Sequence, residues 1–227
     1  MRYLFLHGLG QQPDSWDAVL AACALRGEVE CPDLAAWLRA GDGTYAGLYR
    51  ALAAACAQGG TAPVCLCGLS LGAVLALQYA IAFPERVHAL VLIAPQYQMP
   101  KWLLRLQNFL FRLLPAHAFS EMGLSRQEMI RLTRSMETLD FSRQLDRITC
   151  PVLVLCGARD RTNHKAAVQL ARHIRGAVYQ AVPDAGHEVN CEAHAALARI
   201  LCEFYGVTGE GNGCMIRPED QKGGGTP

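Results

Sequence analysis

Short apolar segments alternate with longer amphipathic segments along most of the chain. Six short segments have the length and composition of strands: Tyr3–Leu6, Glu28–Cys31, Val64–Cys67, His88–Ile93, Val152–Cys156 and Ala177–Val182. Several are apolar almost without a break, which is typical of parallel strands covered on both faces. Helical patterns lie between them, and the alternation predicts an α/β fold with a mostly parallel six-stranded sheet and helices on both faces.

Residues 96–147 break this alternation, because they contain no strand pattern. Pro100 can begin a helix and Pro115 ends it, and a second helix is predicted for Arg126–Glu137. We interpret the interval as a helical cap inserted into an α/β core of residues 1–95 and 148–205, although helices that simply belong to the core are an alternative. The glycine-rich residues 206–227 predict a flexible tail.

Composition and charge narrow the class of protein. Of 227 residues, 52% are apolar and 18% are charged, which argues against disorder. The net charge of +1 gives no reason to expect a nucleic-acid partner. No apolar run is long enough for a membrane span, and the first residues lack the pattern of a signal peptide, so we expect a cytoplasmic protein. Cys65-Leu66-Cys67 has no second ligand pair with zinc spacing, and no metal is expected.

A Gly-x-Ser-x-Gly pattern, Gly68 to Gly72, follows the third strand and begins a helix. This strand–turn–helix context is the one in which the pattern presents a serine nucleophile on a sharp turn. The flanking glycines remove side chains that would collide in such a turn. Ser70 is therefore the candidate nucleophile, at a helix N-terminus that favours developing negative charge.

A serine nucleophile needs a base and an acid that orients the base. Of the seven histidines, only His187 lies in a loop just after the last strand, at the sheet edge where crevices form. Asp160 is the first carboxylate after the fifth strand and would orient His187. Asp184 is the alternative, but it is only three residues from His187. We expect His187 to lie within about 2.6–3.2 Å of Ser70, or somewhat farther without ligand.

Acyl transfer also needs hydrogen-bond donors for the oxyanion. The N–H of Leu71, directly after the serine, is one candidate. The N–H of Leu9, in the loop His7-Gly8-Leu9-Gly10 after the first strand, is the second. We expect His7 to brace this loop rather than to act as a base.

Five ordered motifs together resemble those of the α/β-hydrolase superfamily, in particular its small, cap-containing esterases, lactonases and thioesterase-like members. They are His7-Gly8-Leu9-Gly10 followed by Trp16, Pro32-Asp33-Leu34, Gly68-Leu69-Ser70-Leu71-Gly72, Gly157-Ala158-Arg159-Asp160 and Asp184-Ala185-Gly186-His187. The resemblance covers about residues 1–205 and implies the family's fold without its first two strands. It also implies a triad of Ser70, Asp160 and His187, oxyanion donors at Leu9 and Leu71, and no cofactor. One departure is Ala35-Ala36-Trp37-Leu38, which stands where relatives often have Arg-Gly-x-Gly.

The resulting expectation is a carboxylesterase-like serine hydrolase that cleaves a small-to-medium carboxylic ester or thioester through an acyl-enzyme. Apolar side chains of the cap would line the acyl pocket: Trp102, Leu103, Leu106, Phe109 and Leu110. Acyl transfer, C–C bond hydrolysis and cofactor-free peroxidation are alternatives on the same triad. A non-catalytic ligand receptor is an alternative from another class, and both a monomer and a dimer remain open.

Overall fold

The computed structural model describes residues 1–58, 60–99 and 123–206 and arranges them around one sheet. In this part of the chain the sheet has six strands: β1 (Arg2–Leu6), β2 (Glu28–Glu30), β3 (Val64–Leu69), β4 (Val87–Ile93), β5 (Val152–Gly157) and β6 (Val178–Val182). The strand order is β2-β1-β3-β4-β5-β6, and every neighbouring pair is parallel. The predicted parallel six-stranded α/β fold is confirmed.

Eight α-helices are present in the described residues: α1 (Asp17–Ala22), α2 (Leu34–Ala40), α3 (Tyr45–Gln58), α4 (Leu71–Ala82), α5 (Arg126–Met136), α6 (Arg161–His173), α7 (Val189–Glu192) and α8 (His194–Tyr205). Short 3-10 turns cover Pro13–Trp16, Pro84–Arg86 and Leu145–Arg147. None of the helices within these ranges has both the length and the apolar character that crossing a membrane requires.

Alternate side chains of each strand enter two separate apolar layers. Leu4 and Leu6 of β1 face the layer formed with α2, α3, α4, α5 and α6. Tyr3 and Phe5 face the opposite layer, where they meet α1 and α8. Successive side chains of a strand point to opposite faces, so a strand must be apolar throughout to serve both layers. The uninterrupted apolar runs in the sequence therefore reflect a sheet covered on both sides.

The sequence predicts a third strand that ends at Cys67 and a helix that begins at Gly72, and both boundaries differ in the structure. β3 continues to Leu69 because Gly68 pairs with both Leu6 and Leu92 in the sheet. Helix α4 already begins at Leu71. Ser70 is consequently the only residue between the strand and the helix.

Part of the interval interpreted as a cap lies against the core. The predicted second helix is present as α5 and begins with a capping box in which Ser125 and Glu128 exchange hydrogen bonds. Met129 and Leu132 on its inner face join the layer that contains α3. The first predicted cap helix, between Pro100 and Pro115, and nearly all of the glycine-rich tail lie outside the described residues.

The ends of β5 and β6 are held together by backbone contacts. Gly157 closes β5 so near to the loop after β6 that a Cβ atom there would lie 1.9 Å from the Gly186 carbonyl oxygen. Beside it, Ala158 N donates to Val182 O at 2.9 Å and Arg159 N donates to Ala185 O at 2.8 Å. These contacts fix the two loops that carry Asp160 and His187.

We expect Gly157→Ala to lower the free energy of unfolding by at least about 2 kcal/mol, because the new methyl group would overlap backbone that cannot move aside. Urea denaturation followed by circular dichroism measures the change. Gly41→Ala is the control, because a Cβ there would meet no atom closer than 3.3 Å. Equal stability of the two variants would contradict the close packing of these loops.

Candidate functional site

Ser70 occupies a strained turn at the carboxyl edge of the sheet. Its backbone has φ 52° and ψ −109°, in a region that side-chain-bearing residues rarely adopt. Such a conformation costs of order 1–3 kcal/mol and persists only where its surroundings enforce it. Here Ser70 N donates to Ile93 O at 2.9 Å, and Ser70 O accepts from Val74 N at 3.0 Å. The serine is thereby fixed between β4 and the first turn of α4.

Two glycines make this turn possible. A Cβ at Gly68 would lie 2.3 Å from Gly72 O, and a Cβ at Gly72 would lie 2.2 Å from Leu6 O. Any side chain at either position would therefore push α4 away from β1 and β3. The pattern Gly-x-Ser-x-Gly is thus a packing requirement of the crossing between this helix and the two strands.

Asp160 and His187 form a hydrogen-bonded pair at the same edge. His187 Nδ1 lies 2.7 Å from Asp160 Oδ2. The Asp160 side chain is only 4% exposed, whereas that of His187 is 43% exposed. A buried carboxylate is thus in contact with an imidazole that is still accessible from the crevice. Asp184, the alternative acid, instead pairs with Arg159 at 2.8 Å on the surface.

The pair changes the pKa of both groups. The hydrogen bond with Asp160 raises the pKa of His187 above its ordinary value, although burial acts in the opposite direction. Burial by itself would raise the pKa of Asp160, but the hydrogen bonds from His187 and Asn163 outweigh it and lower the pKa. Asp160 is therefore ionised and favours the imidazolium form of His187.

Asn163, which the sequence analysis did not single out, completes the surroundings of Asp160. Its backbone N–H donates to Asp160 Oδ1 at 3.1 Å, and its side-chain Nδ2 lies 3.0 and 2.8 Å from the two carboxylate oxygens. Gln96 Nε2 in turn donates to Asn163 Oδ1 at 2.7 Å. The sequence signal for this contact is the spacing of three residues between Asp160 and Asn163. Asp160 is the N-cap of α6, and an N-cap side chain accepts from the backbone N–H three residues later.

The loop after β1 faces the start of α4 across the switch point of the sheet, since β2 and β3 lie on opposite sides of β1. The carbonyl oxygen of Gly8 is held by His7 Nδ1 at 2.8 Å and by Gln11 N at 3.2 Å. In a planar trans peptide the following N–H points the opposite way, so these contacts fix the direction of the Leu9 N–H. The N–H of Leu71 is one of the first donors of α4, which lack intrahelical partners.

His7 braces the loop. Its Nε2 accepts from Leu34 N at 3.0 Å, so the proton is on Nδ1, which donates to Gly8 O. Burial lowers the pKa of His7, and the ring is therefore neutral at physiological pH. With both ring nitrogens engaged, His7 is not available as a base.

A small apolar cavity of about 10 Å³ lies beside Leu9 and Leu71. Its further walls come from α2, α3 and α5, where the side chains are Leu34, Ala35, Leu38, Leu48 and Leu132. The segment of α2 that departs from the family pattern therefore forms one wall. The predicted pocket residues Trp102, Leu103, Leu106, Phe109 and Leu110 lie outside the described residues.

Ser70, Asp160 and His187 follow β3, β5 and β6 and lie at one edge of the sheet, as expected for parallel strands. Among the described residues, however, the side-chain hydrogen bond of His187 is the one from Nδ1 to Asp160, and the expected hydrogen bond to the Ser70 hydroxyl is not formed. Hydrogen bonds between catalytic groups are often long in the absence of ligand and tighten when substrate binds. No cluster of three or more His, Cys, Asp or Glu side chains in the described ranges could hold a metal ion.

The sheet order, the strained serine after β3 and the Asp–His pair after β5 and β6 define a parallel α/β protein with these polar groups at the carboxyl edge of its sheet. The model of the alpha/beta hydrolase family matches residues 3–200, and the chain belongs to this family. A comparison with curated proteins found no match.

Solved structures with the same fold include enzymes of several activities. A hydrolase from Pseudomonas aeruginosa PA01 is 21% identical, with a TM-score of 0.77 over 90% of this chain and 89% of that chain. The enol-lactonase from Burkholderia xenovorans LB400 is 18% identical, with a TM-score of 0.75 over 90% of each chain. A thermophilic esterase from Thermogutta terrifontis is 21% identical, with a TM-score of 0.72 over 90% and 89%. At these identities the similarity establishes the fold.

We expect Asp160→Asn to lower the pKa of His187, because it removes the charged acceptor that raises it and leaves the effect of burial. A histidine-selective NMR titration measures this pKa directly. Asp184→Asn is the matched control, because Asp184 pairs with Arg159 instead. The same His187 pKa in wild type and Asp160→Asn would contradict the assigned pairing.

Proposed function

We propose that the protein is a serine hydrolase that cleaves a small carboxylic ester or thioester through an acyl-enzyme. The observation that carries the proposal is the buried Asp160 in hydrogen-bond contact with His187, at the sheet edge where Ser70 projects from its strained turn. Membership of the alpha/beta hydrolase family supports a hydrolase. The lactonase and esterase among the similar structures are consistent with an ester substrate.

In the proposed reaction, neutral His187 accepts the proton of Ser70 as the serine oxygen attacks the acyl carbonyl. Asp160 holds Nδ1 of the ring, so that Nε2 is the nitrogen that takes the proton. The N–H groups of Leu9 and Leu71 stabilise the oxyanion. His187 then protonates the leaving group. In the second half of the reaction it accepts a proton from the water that attacks the acyl-enzyme and returns that proton to Ser70 as the carboxylic acid leaves.

The apolar cavity beside the oxyanion donors supports a short acyl chain. Its volume of about 10 Å³ is close to the room that one water-sized group needs. Leu9 and Leu71 are among its lining residues, so the alkyl group of an ester whose carbonyl is held by their N–H groups would lie beside the cavity. We therefore propose acetyl esters and thioesters as the preferred class of substrate.

Labelling with a fluorophosphonate tests the activated serine. We expect modification at Ser70, located by mass spectrometry, and its loss in Ser70→Ala. The labelling rate should fall as the pH decreases through the raised pKa of His187, because protonated imidazole cannot accept the serine proton. Ser142→Ala, in the loop after α5, is the control. An unlabelled Ser70 in folded protein would overturn the proposed function.

Substitution of Leu48 tests the acyl pocket. We expect Leu48→Val to raise kcat/KM for a butyrate ester relative to an acetate ester by about tenfold or more, since one methylene in such a pocket is worth about 1–3 kcal/mol. Leu52→Val is the matched control, because Leu52 is equally buried on α3 but does not line the cavity. The same chain-length preference in both variants would argue against this pocket as the acyl site.

A further inference from the structure

Two buried amide side chains join the loop after β1 to the segment that follows His187. Gln11 Nε2 donates to Asn190 Oδ1 at 3.1 Å, and Asn190 Nδ2 donates to Gln11 Oε1 at 3.2 Å. Gln11 is 8% exposed and Asn190 is completely buried. The contact connects positions at opposite ends of the described chain through a pair of reciprocal hydrogen bonds, which we call the amide pair.

Every polar hydrogen of the amide pair has a partner. The second hydrogen of Asn190 Nδ2 is directed to Ser15 O at 3.2 Å, and that of Gln11 Nε2 to Cys191 Sγ at 3.7 Å. Gln11 Oε1 also accepts from Gly8 N at 3.1 Å. A fully satisfied buried network has one preferred geometry, because any rotation of either amide leaves a polar atom unpaired.

On one side, the amide pair fixes the loop that presents the Leu9 N–H. Gln11 holds this loop twice: its side chain accepts from Gly8 N, and its backbone N–H donates to Gly8 O. The Gly8–Leu9 peptide therefore has little freedom to rotate. A small rotation of this peptide would turn the Leu9 N–H away from a developing oxyanion.

On the other side, the amide pair meets the segment that holds His187. Asn190 lies in helix α7 with Glu192, whose carboxylate accepts from Gly186 N at 2.7 Å and from Glu188 N at 3.0 Å. These two N–H groups flank His187 on either side. The helix that contains Asn190 thus also fixes the backbone on which the imidazole is mounted.

We propose that Gln11 and Asn190 are positioning residues. They fix the loop after β1, and with it the Leu9 N–H, relative to His187. The inference rests on the proposed function, and it assigns to the amide pair an effect on the transition state beyond its contribution to folding. Gln11 lies beside the cavity and Asn190 does not. The side-chain hydrogen bonds of both residues go to each other and to neighbouring groups other than Ser70 and His187, so both would act through Leu9 and His187.

Apolar replacements of similar shape separate positioning from stability. Gln11→Met and Asn190→Leu each leave one amide unpaired. The double variant removes both amides and leaves only the backbone groups Gly8 N and Ser15 O without their side-chain partners, so it should be more stable than the sum of the two single effects. We expect each single variant to lower both stability and kcat, and the double variant to recover part of the thermal stability but none of the kcat. The fall in kcat on an acetate ester should be about 10- to 100-fold with KM nearly unchanged, as for a lost or misplaced oxyanion donor.

The variants are compared by steady-state kinetics, by the rate of fluorophosphonate labelling at Ser70 and by thermal unfolding. Gln78→Met, on α4 and outside the amide pair, is the matched control and should retain the wild-type kcat. A double variant that regains both stability and kcat would reduce the amide pair to a structural role and overturn the inference alone. Wild-type protein that is not labelled at Ser70 would overturn the proposed function and this inference together.

Discussion

The close approach of backbone to backbone at the carboxyl edge of the sheet is the constraint on which the site depends. Gly72 lets α4 lie against Leu6 of β1, Gly68 lets the same helix start directly above β3, and Gly157 lets the loop after β6 lie against β5. No side chain separates these segments. Ser70 is left in a strained conformation because the helix has no other position from which to pack on the sheet.

Hydrogen bonds between buried polar side chains fix the loops of the site in addition to the close backbone packing. Asp160 is surrounded by donors from Asn163 and His187, so a nearly buried carboxylate can remain ionised. Gln11 and the completely buried Asn190 satisfy each other in the same way. Buried polar groups of this kind are stabilising only when every donor and acceptor is matched, and that requirement makes their geometry specific. The loops of the site are consequently held by directional contacts as well as by apolar burial.

The cavity is formed mostly by other elements than those that carry Ser70, Asp160 and His187. The cavity beside Leu9 and Leu71 is walled by α2 and α3 and by α5 from the interval interpreted as a cap. Helix α2 begins at Leu34, after Asp33 caps it by accepting from Ala36 N. This is the segment in which the chain departs from the pattern common among its relatives. In the proposed hydrolase, the family fold would supply the reactive groups, and local sequence in these helices would shape the space for the substrate.

The sequence by itself determined the α/β class, the six strands and the serine turn. Periodicity and glycine spacing carry that information because apolar alternation and steric crowding act over a few neighbouring residues. It also indicated Asp160 and His187, since each follows a strand and parallel strands bring such loops to one edge.

Only the tertiary structure decided which other side chains complete the site. Nothing local to Asn163 distinguishes it from an ordinary helix-capping asparagine, and Gln11 and Asn190 are separated by most of the chain. The same holds for the cavity, whose described walls come from helices that meet only after the sheet has formed. Contacts of this kind depend on packing between distant segments, whereas strands and turns are determined by residues that are neighbours in the sequence.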